Sequence, residues 1–514
     1  MRRLPIVLAL LGLGAACAPS PTPVATGGVA PPAPAVPQNF VYATTQLPPT
    51  MDPAVVLGGV RRMDQFETLT VQDPTGKTTT GQLAKEWKLI NDTTWEFTLR
   101  EGSKFHDGSP VTAADVAFSA NRALDPARRF TIISRIPSVT NSEATGPLTV
   151  RFTTRVADPI LDKRLASLAI LPKALVESQG EETFFKNPVG SGPFRFKEFV
   201  PDDRLTVTGW KDHPFRKPKL DTLTLKNVPE AAQRLNGLRA GEVDYATGLP
   251  LDQYERLKGE GFQIEVRNAG YSGSWGLDAL KDSPLRDKRV RWAINYAIDK
   301  EAISKNIYAG LSPVEKGQVT QPEAFGFDPT LKPYDYDPAK AKALLAEAGY
   351  SNGFDIVADV WMASSEIQRL ALFLQQQLRD IGIRVEIAGY PDVATFLDKG
   401  NGTKPRAPMY NGGPAIIPAM DAEQALTAYI STQPDPRRRL INAEFDAAIA
   451  AASKEMDKAK REKYLQDAAK ILREEAPILF LVQQAGINGW SPKVKGLTPR
   501  IPDDVLFETV EKIG

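Results

Sequence analysis

The stretch that decides the fold is residues 82–123, which read QLAKEWKLINDTTWEFTLREGSKFHDGSPVTAADVAFSANRA. Positions 91–92 (Asn-Asp) are a turn signal, and the apolar residues of 95–99 alternate with polar ones, which predicts a strand with one buried face. Thr112 is followed three residues later by Asp115, a variant of the capping box that predicts a helix from there to about residue 123. Strand and helix within one short stretch indicate a mixed α/β protein.

Patterns along the rest of the chain extend this prediction. Alternating strands are predicted in the first half over 148–152, 194–199 and 204–208, the last two joined by a hairpin. Apolar stripes at helical spacing predict helices in the second half over 290–298, 338–348, 367–378, 442–453 and 457–475, with strands at 383–387 and 477–482. Strands first and strand–helix alternation later indicate an α/β fold with more than one sheet.

The N-terminus has the layout of a bacterial secretory signal. Two arginines precede thirteen uncharged, mostly apolar residues, and small residues then lead to Cys17, the only cysteine of the chain. We expect residues 1–16 to be removed and Cys17 to carry lipid; cleavage of an ordinary signal next to Cys17 is the alternative. Residues 18–38 hold seven prolines and no charge, which predicts a semi-rigid tether.

Composition and charge exclude several classes of function. Without residues 1–16 the chain has 61 basic and 62 acidic residues, which gives no electrostatic case for binding nucleic acid or an anionic membrane surface. About 500 residues predict two or three domains. The chain has two histidines, and it has no HExxH, CxxC, phosphate-loop or GxSxG motif. We therefore expect no metal, no cofactor and no enzyme activity, with a carboxylate-dependent secreted hydrolase as the alternative from another class.

Six groups of motifs, in order, closely resemble solute-binding protein family 5, the extracytoplasmic receptors of peptide, opine and nickel ABC importers. They are VQDPTG to TAADV (71–116), NPVGSGPF (187–194), SPLRDKRVR with AIDK (283–300), YDP with LLAEAGY (336–350), EAP (475–477) and VKG (494–496).

The resemblance implies a two-lobed periplasmic-binding-protein fold with an extra inserted domain and a hinge between the lobes. In this sequence the base domain of lobe 1 would comprise 39–68, 188–275 and 485–514, with the inserted domain at 69–187 and lobe 2 at 276–484. The signal would be 1–16 and the lipidated tether 17–38. Crossings near 270–276 and 482–488 would form the hinge, which closes on ligand.

The chain departs from the family at the position that holds a peptide's amine. Peptide-binding members resemble one another in an acidic motif of lobe 2, but residues 409–421 here read MYNGGPAIIPAMD. The alignment puts Pro418 near the amine-binding position, so a less cationic ligand is favoured; alternatively, Asp421 holds the amine. By analogy the expected ligand-binding residues are Tyr410, Asn411, Gly412, Asp421, Trp361 and Gln46. Of these, Trp361 is expected to open the helix that precedes the 409–421 segment, and Gln46 lies in the entry loop 45–48.

The function implied is that of a receptor that binds a peptide-like, opine-like or sugar-conjugate solute and delivers it to an ABC permease with cytoplasmic ATPases. We expect a monomer in the periplasm or at the cell surface, held to a bacterial membrane by its lipid. A solute sensor or chaperone without a permease is a further alternative.

Overall fold

The computed structural model describes residues 36–55, 63–267, 273–362, 364–399, 405–412, 420–430, 440–500 and 504–514. The expected signal peptide, the lipidation site Cys17 and nearly all of the tether lie outside these residues. The same holds for residues 413–419 of the expected pocket, including Pro418.

Among these residues the strands are, in chain order, β1 Asn39–Thr44, β2 Thr70–Gln72, β3 Thr79–Gly81, β4 Ala84–Asn91, β5 Thr94–Leu99, β6 Val139–Ala144, β7 Thr149–Thr154, β8 Phe194–Val200, β9 Arg204–Gly209, β10 Thr222–Asn227, β11 Tyr245–Leu249, β12 Gln263–Arg267, β13 Trp275–Leu277, β14 Phe354–Trp361, β15 Ile383–Tyr390, β16 Met409–Asn411, β17 Ile478–Leu479, β18 Gly486–Trp490, β19 Val494–Lys495, β20 Thr498–Arg500, β21 Asp504–Leu506 and β22 Glu511–Lys512. The α-helices are α1 Ala113–Leu124, α2 Leu161–Leu165, α3 Lys173–Gln179, α4 Glu181–Phe184, α5 Ala231–Ala240, α6 Tyr254–Gly259, α7 Lys288–Tyr296, α8 Lys300–Ile307, α9 Pro338–Glu347, α10 Ser365–Asp380, α11 Val393–Asp398, α12 Ala422–Leu426, α13 Ala443–Ala452 and α14 Lys458–Glu475.

Three larger sheets hold most of the described strands, and the pairs β2-β3, β19-β22 and β20-β21 form small two-stranded sheets. The base sheet has the order β12-β18-β11-β1-β10-β9-β8, in which β1 runs parallel to both of its neighbours. The inserted sheet, β4-β5-β7-β6, is antiparallel throughout and packs against α1. The second-lobe sheet has the order β15-β14-β16-β13-β17. Its β14 runs parallel to β15 and β16, while β13 is antiparallel to β16 and β17.

Local sequence signals account for many of the element boundaries. The alternating residues of β5 are buried at Trp95, Phe97 and Leu99, as predicted. The backbone N–H of Thr112 donates to the Asp115 carboxylate over 2.8 Å, and α1 begins at the next residue. The predicted hairpin is also present, because β8 pairs antiparallel with β9 across residues 201–203. These features depend on neighbours in sequence, so a short window was enough to predict them.

Two predicted elements are shorter than expected. Helix α7 ends at Tyr296 because Asp299 starts α8, where its carboxylate accepts from the Ala302 N–H over 2.9 Å. The strand predicted over 477–482 is present as β17 at only two of its residues, with one further isolated bridge between Val482 and Val314. Beyond them the Phe480 N–H donates to the buried Asn295 side chain over 3.0 Å. At Phe480 a side-chain acceptor thus takes the place of a backbone partner.

Both histidines hold the segment 190–193 in place. The Nε2 atoms of His106 and His213 lie 2.9 Å from the carbonyl oxygens of Gly192 and Ser191, and the Nδ1 of His106 accepts from the Gly190 N–H. Burial lowers the pKa of each imidazole to about 4. Both rings are therefore neutral near pH 7, with one nitrogen donating and the other accepting.

Close backbone contact explains the two glycines of this segment. A Cβ on Gly190 would lie 2.0 Å from the carbonyl oxygen of Gln65, and one on Gly192 would lie 2.0 Å from that of Asp64. Neither glycine needs a left-handed backbone. Both are required because the backbone of residues 64–65 passes too close to leave room for a Cβ.

The chain crosses twice between the base sheet and the second-lobe sheet. One crossing joins β12 to β13 and the other joins β17 to β18. At the described end of the first crossing, the Gly273 N–H donates to the Val482 carbonyl of the second over 2.8 Å. Both crossings lie within or next to the segments expected to form the hinge, and the hinge motion itself stays a prediction.

Candidate ligand-binding site

The carboxyl ends of three parallel strands meet at one edge of the second-lobe sheet. β14, β15 and β16 end at Trp361, Tyr390 and Asn411, and Trp361 is in register with Tyr390. Because β15 and β16 flank β14 on opposite sides, this edge is a topological switch point. Ligands of open α/β sheets bind in the crevice outside such an edge.

Asn411 ties the ends of β14 and β16 together. Its Oδ1 accepts from the Trp361 N–H over 2.8 Å, and its Nδ2 donates to the Trp361 carbonyl over 3.0 Å. The side chain thereby continues the ladder by one step and fixes where the Trp361 backbone lies. Gly412 follows, exposed and with φ of +125°, a conformation that favours glycine.

Tyr410 and Tyr390 flank this edge in different ways. Tyr410 is 2% exposed, and the Arg406 guanidinium lies 4.5 Å from its ring centroid. Tyr390 is half-buried and donates its hydroxyl to Asp359 over 3.0 Å. Tyr390 is not among the predicted site residues because the predicted strand ends at residue 387. Following that strand for three more residues in parallel register with β14 would have found it.

The other expected residues are placed as follows. Trp361 was expected to open a helix, but it is the last residue of β14, and the helix α10 begins later with Ser364 as its cap. Gln46 is exposed in the loop after β1, at the carboxyl edge of the base sheet. In that sheet β1 lies between β10 and β11 and is parallel to both. The structure thus brings Trp361, Tyr410, Asn411 and Gly412 together and places Gln46 on the other sheet.

Asp421 is fully buried and already has a charge partner. Its two carboxylate oxygens accept from Nη1 and Nη2 of Arg461 over 2.6 and 2.9 Å, and it caps α12 by accepting from the Glu423 N–H over 3.1 Å. Burial opposes the charge on Arg461, but the carboxylates of Asp421 and Glu423 outweigh it and raise the pKa of Arg461. A bidentate pair of this kind leaves little acceptor capacity for a ligand's ammonium group.

A cavity of about 400 Å³ adjoins this ion pair. It is lined from the inserted-domain side by Lys77, Ile160 and Lys163 and from the second-lobe side by Phe325, Met420 and Arg461. Gly76 packs so closely on Met420 that a Cβ there would lie 2.3 Å from the Met420 Cγ. Gly412 of the switch-point edge and Met420 of this cavity are separated in sequence only by residues 413–419.

The described parts of the chain contain neither a metal-binding cluster nor a membrane-spanning helix. No group of three or more His, Cys, Asp or Glu side chains among those residues could hold a metal ion. None of the helices within the ranges given above is both long enough and apolar enough to cross a membrane.

A sequence model described as bacterial extracellular solute-binding proteins, family 5 Middle, matches residues 78–437. Among curated proteins, the chain is 29% identical over 440 residues to the glutathione-binding protein GsiB of Pectobacterium atrosepticum, covering 83% of this chain and 84% of that protein.

Solved structures share the fold over nearly their whole length. The periplasmic binding protein DppA of Helicobacter pylori, in complex with the peptide STSA, has a TM-score of 0.77 at 25% identity and covers 92% of this chain and 98% of that one. AgaA of A. tumefaciens R10, in complex with agropinic acid, has a TM-score of 0.77 at 25% identity and covers 93% and 99%. The predicted two-lobed α/β fold is confirmed.

Proposed function

Because the chain belongs to family 5 of the bacterial extracellular solute-binding proteins, the receptor class of ABC importers, we propose that it binds a small peptide-like solute between its lobes. The observation that carries the proposal is the switch-point edge of the second-lobe sheet, where Trp361, Tyr390 and Asn411 converge at the ends of three parallel strands. Hinge closure would bury a solute that lies against this edge. Gly412 and Gln46 complete the proposed surface, and the buried Tyr410 supports it from the same strand as Asn411.

The proposed ligand class follows from the charges around this edge. GsiB is named for glutathione, DppA is complexed with a peptide and AgaA with agropinic acid, and these names support a peptide-like or opine-like acid. No acid occurs between Ala407 and Met420, and the Asp421 carboxylate is held by Arg461. We propose that the 407–421 segment does not pair with a ligand ammonium, because a buried ammonium without a charge partner is costly.

We also propose that the receptor has no catalytic activity, because both of its histidines are engaged by the backbone. Both ring nitrogens of His106 and one of His213 contact the backbone of segment 190–193, and the remaining His213 nitrogen accepts from the Phe215 N–H. Neither imidazole is placed as a general base. The carboxylate-dependent hydrolase remains the second candidate for the test below.

The membrane association is also a proposal. A lipid on Cys17 and the uncharged tether of residues 18–38 would hold the body near a permease with cytoplasmic ATPases, outside the cytoplasmic membrane. The body is proposed to act as a monomer, since one lobe pair forms the complete site.

Thermal-shift screening of a library of free peptides, N-blocked peptides, opines and sugar conjugates tests the proposal. A solute that binds the folded protein raises its melting temperature. We expect a hit that is recovered chemically unchanged after long incubation and that does not depend on a free α-amine. Multiple turnovers abolished by substituting one acidic residue would establish the hydrolase instead.

A further inference from the structure

Five buried charged side chains form a continuous network of ion pairs from the inserted domain to the second lobe. Arg164, on α2, donates from Nε to Asp158 over 2.9 Å and from Nη2 to Glu423 over 3.1 Å. Glu423 then accepts from Nη2 of Arg461 over 2.6 Å, and Arg461 holds Asp421. All five residues are less than 8% exposed. The charges alternate in sign along this network.

Of the four links in this network, the one between Arg164 and Glu423 joins the two lobes. Its partners are 259 residues apart in sequence. Asp158 and Arg164 both belong to the inserted-domain side, whereas Asp421, Glu423 and Arg461 belong to the second lobe. Separating the lobes would therefore break this link and leave the others intact.

On each side of the seam, the charged residues of the network keep an oppositely charged partner when the lobes separate. Arg164 retains Asp158, which is itself held by the Ile160 N–H over 3.1 Å, and Glu423 retains Arg461. No side chain is left as an isolated charge, so opening avoids the largest cost of breaking a buried pair. Burial raises the pKa of Glu423, against the opposing charges of Arg164 and Arg461, so the carboxylate gains from the contact with Arg164.

We propose that Arg164 and Glu423 form a latch that favours the closed arrangement of the lobes and thereby sets solute affinity. The two residues act as positioning residues at the seam and do not touch the solute. The effect on affinity rests on the proposed function, because closure tightens binding only if the solute lies between the lobes. The latch itself does not depend on that function.

The latch makes a quantitative claim about the ligand-free protein. A link worth a tenfold change in the ratio of closed to open molecules would convert to about 1.4 kcal/mol. Removing it should therefore turn a mainly closed population into one with a substantial open fraction. A contact that only supports the fold of one lobe would change stability without changing the distance between lobes.

Pulsed EPR on the full-length Cys17→Ser protein measures that distance directly. Spin labels go on Lys186→Cys in the inserted domain, whose side chain is 72% exposed, and on Leu372→Cys of α10, which is 60% exposed. We expect Glu423→Gln and Arg164→Met each to shift the ligand-free distribution toward longer distances. Arg204→Met, which removes an exposed pair with Glu198 within the base sheet, is the control and should not.

The double variant separates a latch from a folding defect. Arg164→Met with Glu423→Gln should shift the distribution no further than either single change, since both remove the same link. Arg164→Gln also removes the charge, keeps polar groups that can donate to Asp158, and serves if Arg164→Met does not fold. Distributions identical to the wild type in Glu423→Gln and in the folded Arg164 variant would overturn the latch. The measurement needs no solute, so a screen without a binder would count against the proposed function and leave the latch standing.

Discussion

Replacing Asp421 with Asn tests whether this carboxylate is structural or belongs to the ligand site. The change preserves size but removes the negative charge that accepts two hydrogen bonds from Arg461. Removing one partner of a buried ion pair costs about 3–5 kcal/mol. Arg461 retains Glu423 at 2.6 Å and Asn can still accept one hydrogen bond, so we expect the lower end, about 3 kcal/mol.

The expected change in melting temperature follows from the size of the unit that unfolds. Residues 37–514 form one unit, and about 2.1 cal/mol/K per residue gives an unfolding entropy of about 1 kcal/mol/K. A loss of about 3 kcal/mol then lowers Tm by about 3 °C, and by more if the second lobe unfolds separately.

Differential scanning calorimetry of the two proteins, each with and without the best solute of the screen, measures both effects. The matched control is Asp355→Asn, which removes a charge that is 78% exposed on the same lobe and should change stability by about 0.5 kcal/mol or less. We expect Asp421→Asn to melt lower without solute and to keep the full solute-induced rise. A variant as stable as the wild type that no longer responds to free peptides would make Asp421 the amine partner and refute the proposed pocket.

Four further predictions concern other parts of the chain. Gly192→Ala should destabilise the protein by about 3 kcal/mol or more, since the new Cβ would lie 2.0 Å from a backbone oxygen; urea unfolding at a midpoint equal to the wild type would contradict this. Burial raises the pKa of Glu67 to about 7 from 4.5, so its ionisation destabilises the fold progressively from about pH 4.5 to 7. The stability of Glu67→Gln relative to the wild type should therefore rise by about 3 kcal/mol across that window, and a flat difference between pH 5 and 8 would be the contrary result. Asn411→Ala should weaken solute binding about tenfold or more, because it removes both hydrogen bonds that hold the Trp361 backbone. Isothermal titration calorimetry measures the affinity, and an unchanged affinity would contradict this prediction. Cys17→Ser should move the protein from the membrane to the soluble fraction, and a wild type that already fractionates as soluble would show that no lipid is attached.

The sequence signals that succeeded are those that act over a few residues. Thr112 and Asp115 are three positions apart, and the alternation of β5 needs only its own six residues. The same limit explains the failure at Trp361. A helical stripe continues after it, and only pairing with β15 and β16, far along the chain, shows that it ends a strand. The resemblance to family 5 predicted the two-lobed fold. The spacing of apolar residues alone would not have distinguished it from other α/β folds.

By itself, then, the sequence determined the helices, strands and caps, the family and the absence of an acid between residues 407 and 420, because each depends on residue identity or local spacing. Tertiary structure decided what those residues contact. Asp421 could hold a ligand's amine or a structural partner as far as the sequence goes, and the choice depends on Arg461, 40 residues away. Arg164 and Glu423 carry no signal of pairing across 259 residues. Charge sign allows many such pairs, and only the packing of the two lobes brings these two guanidinium and carboxylate groups together out of water.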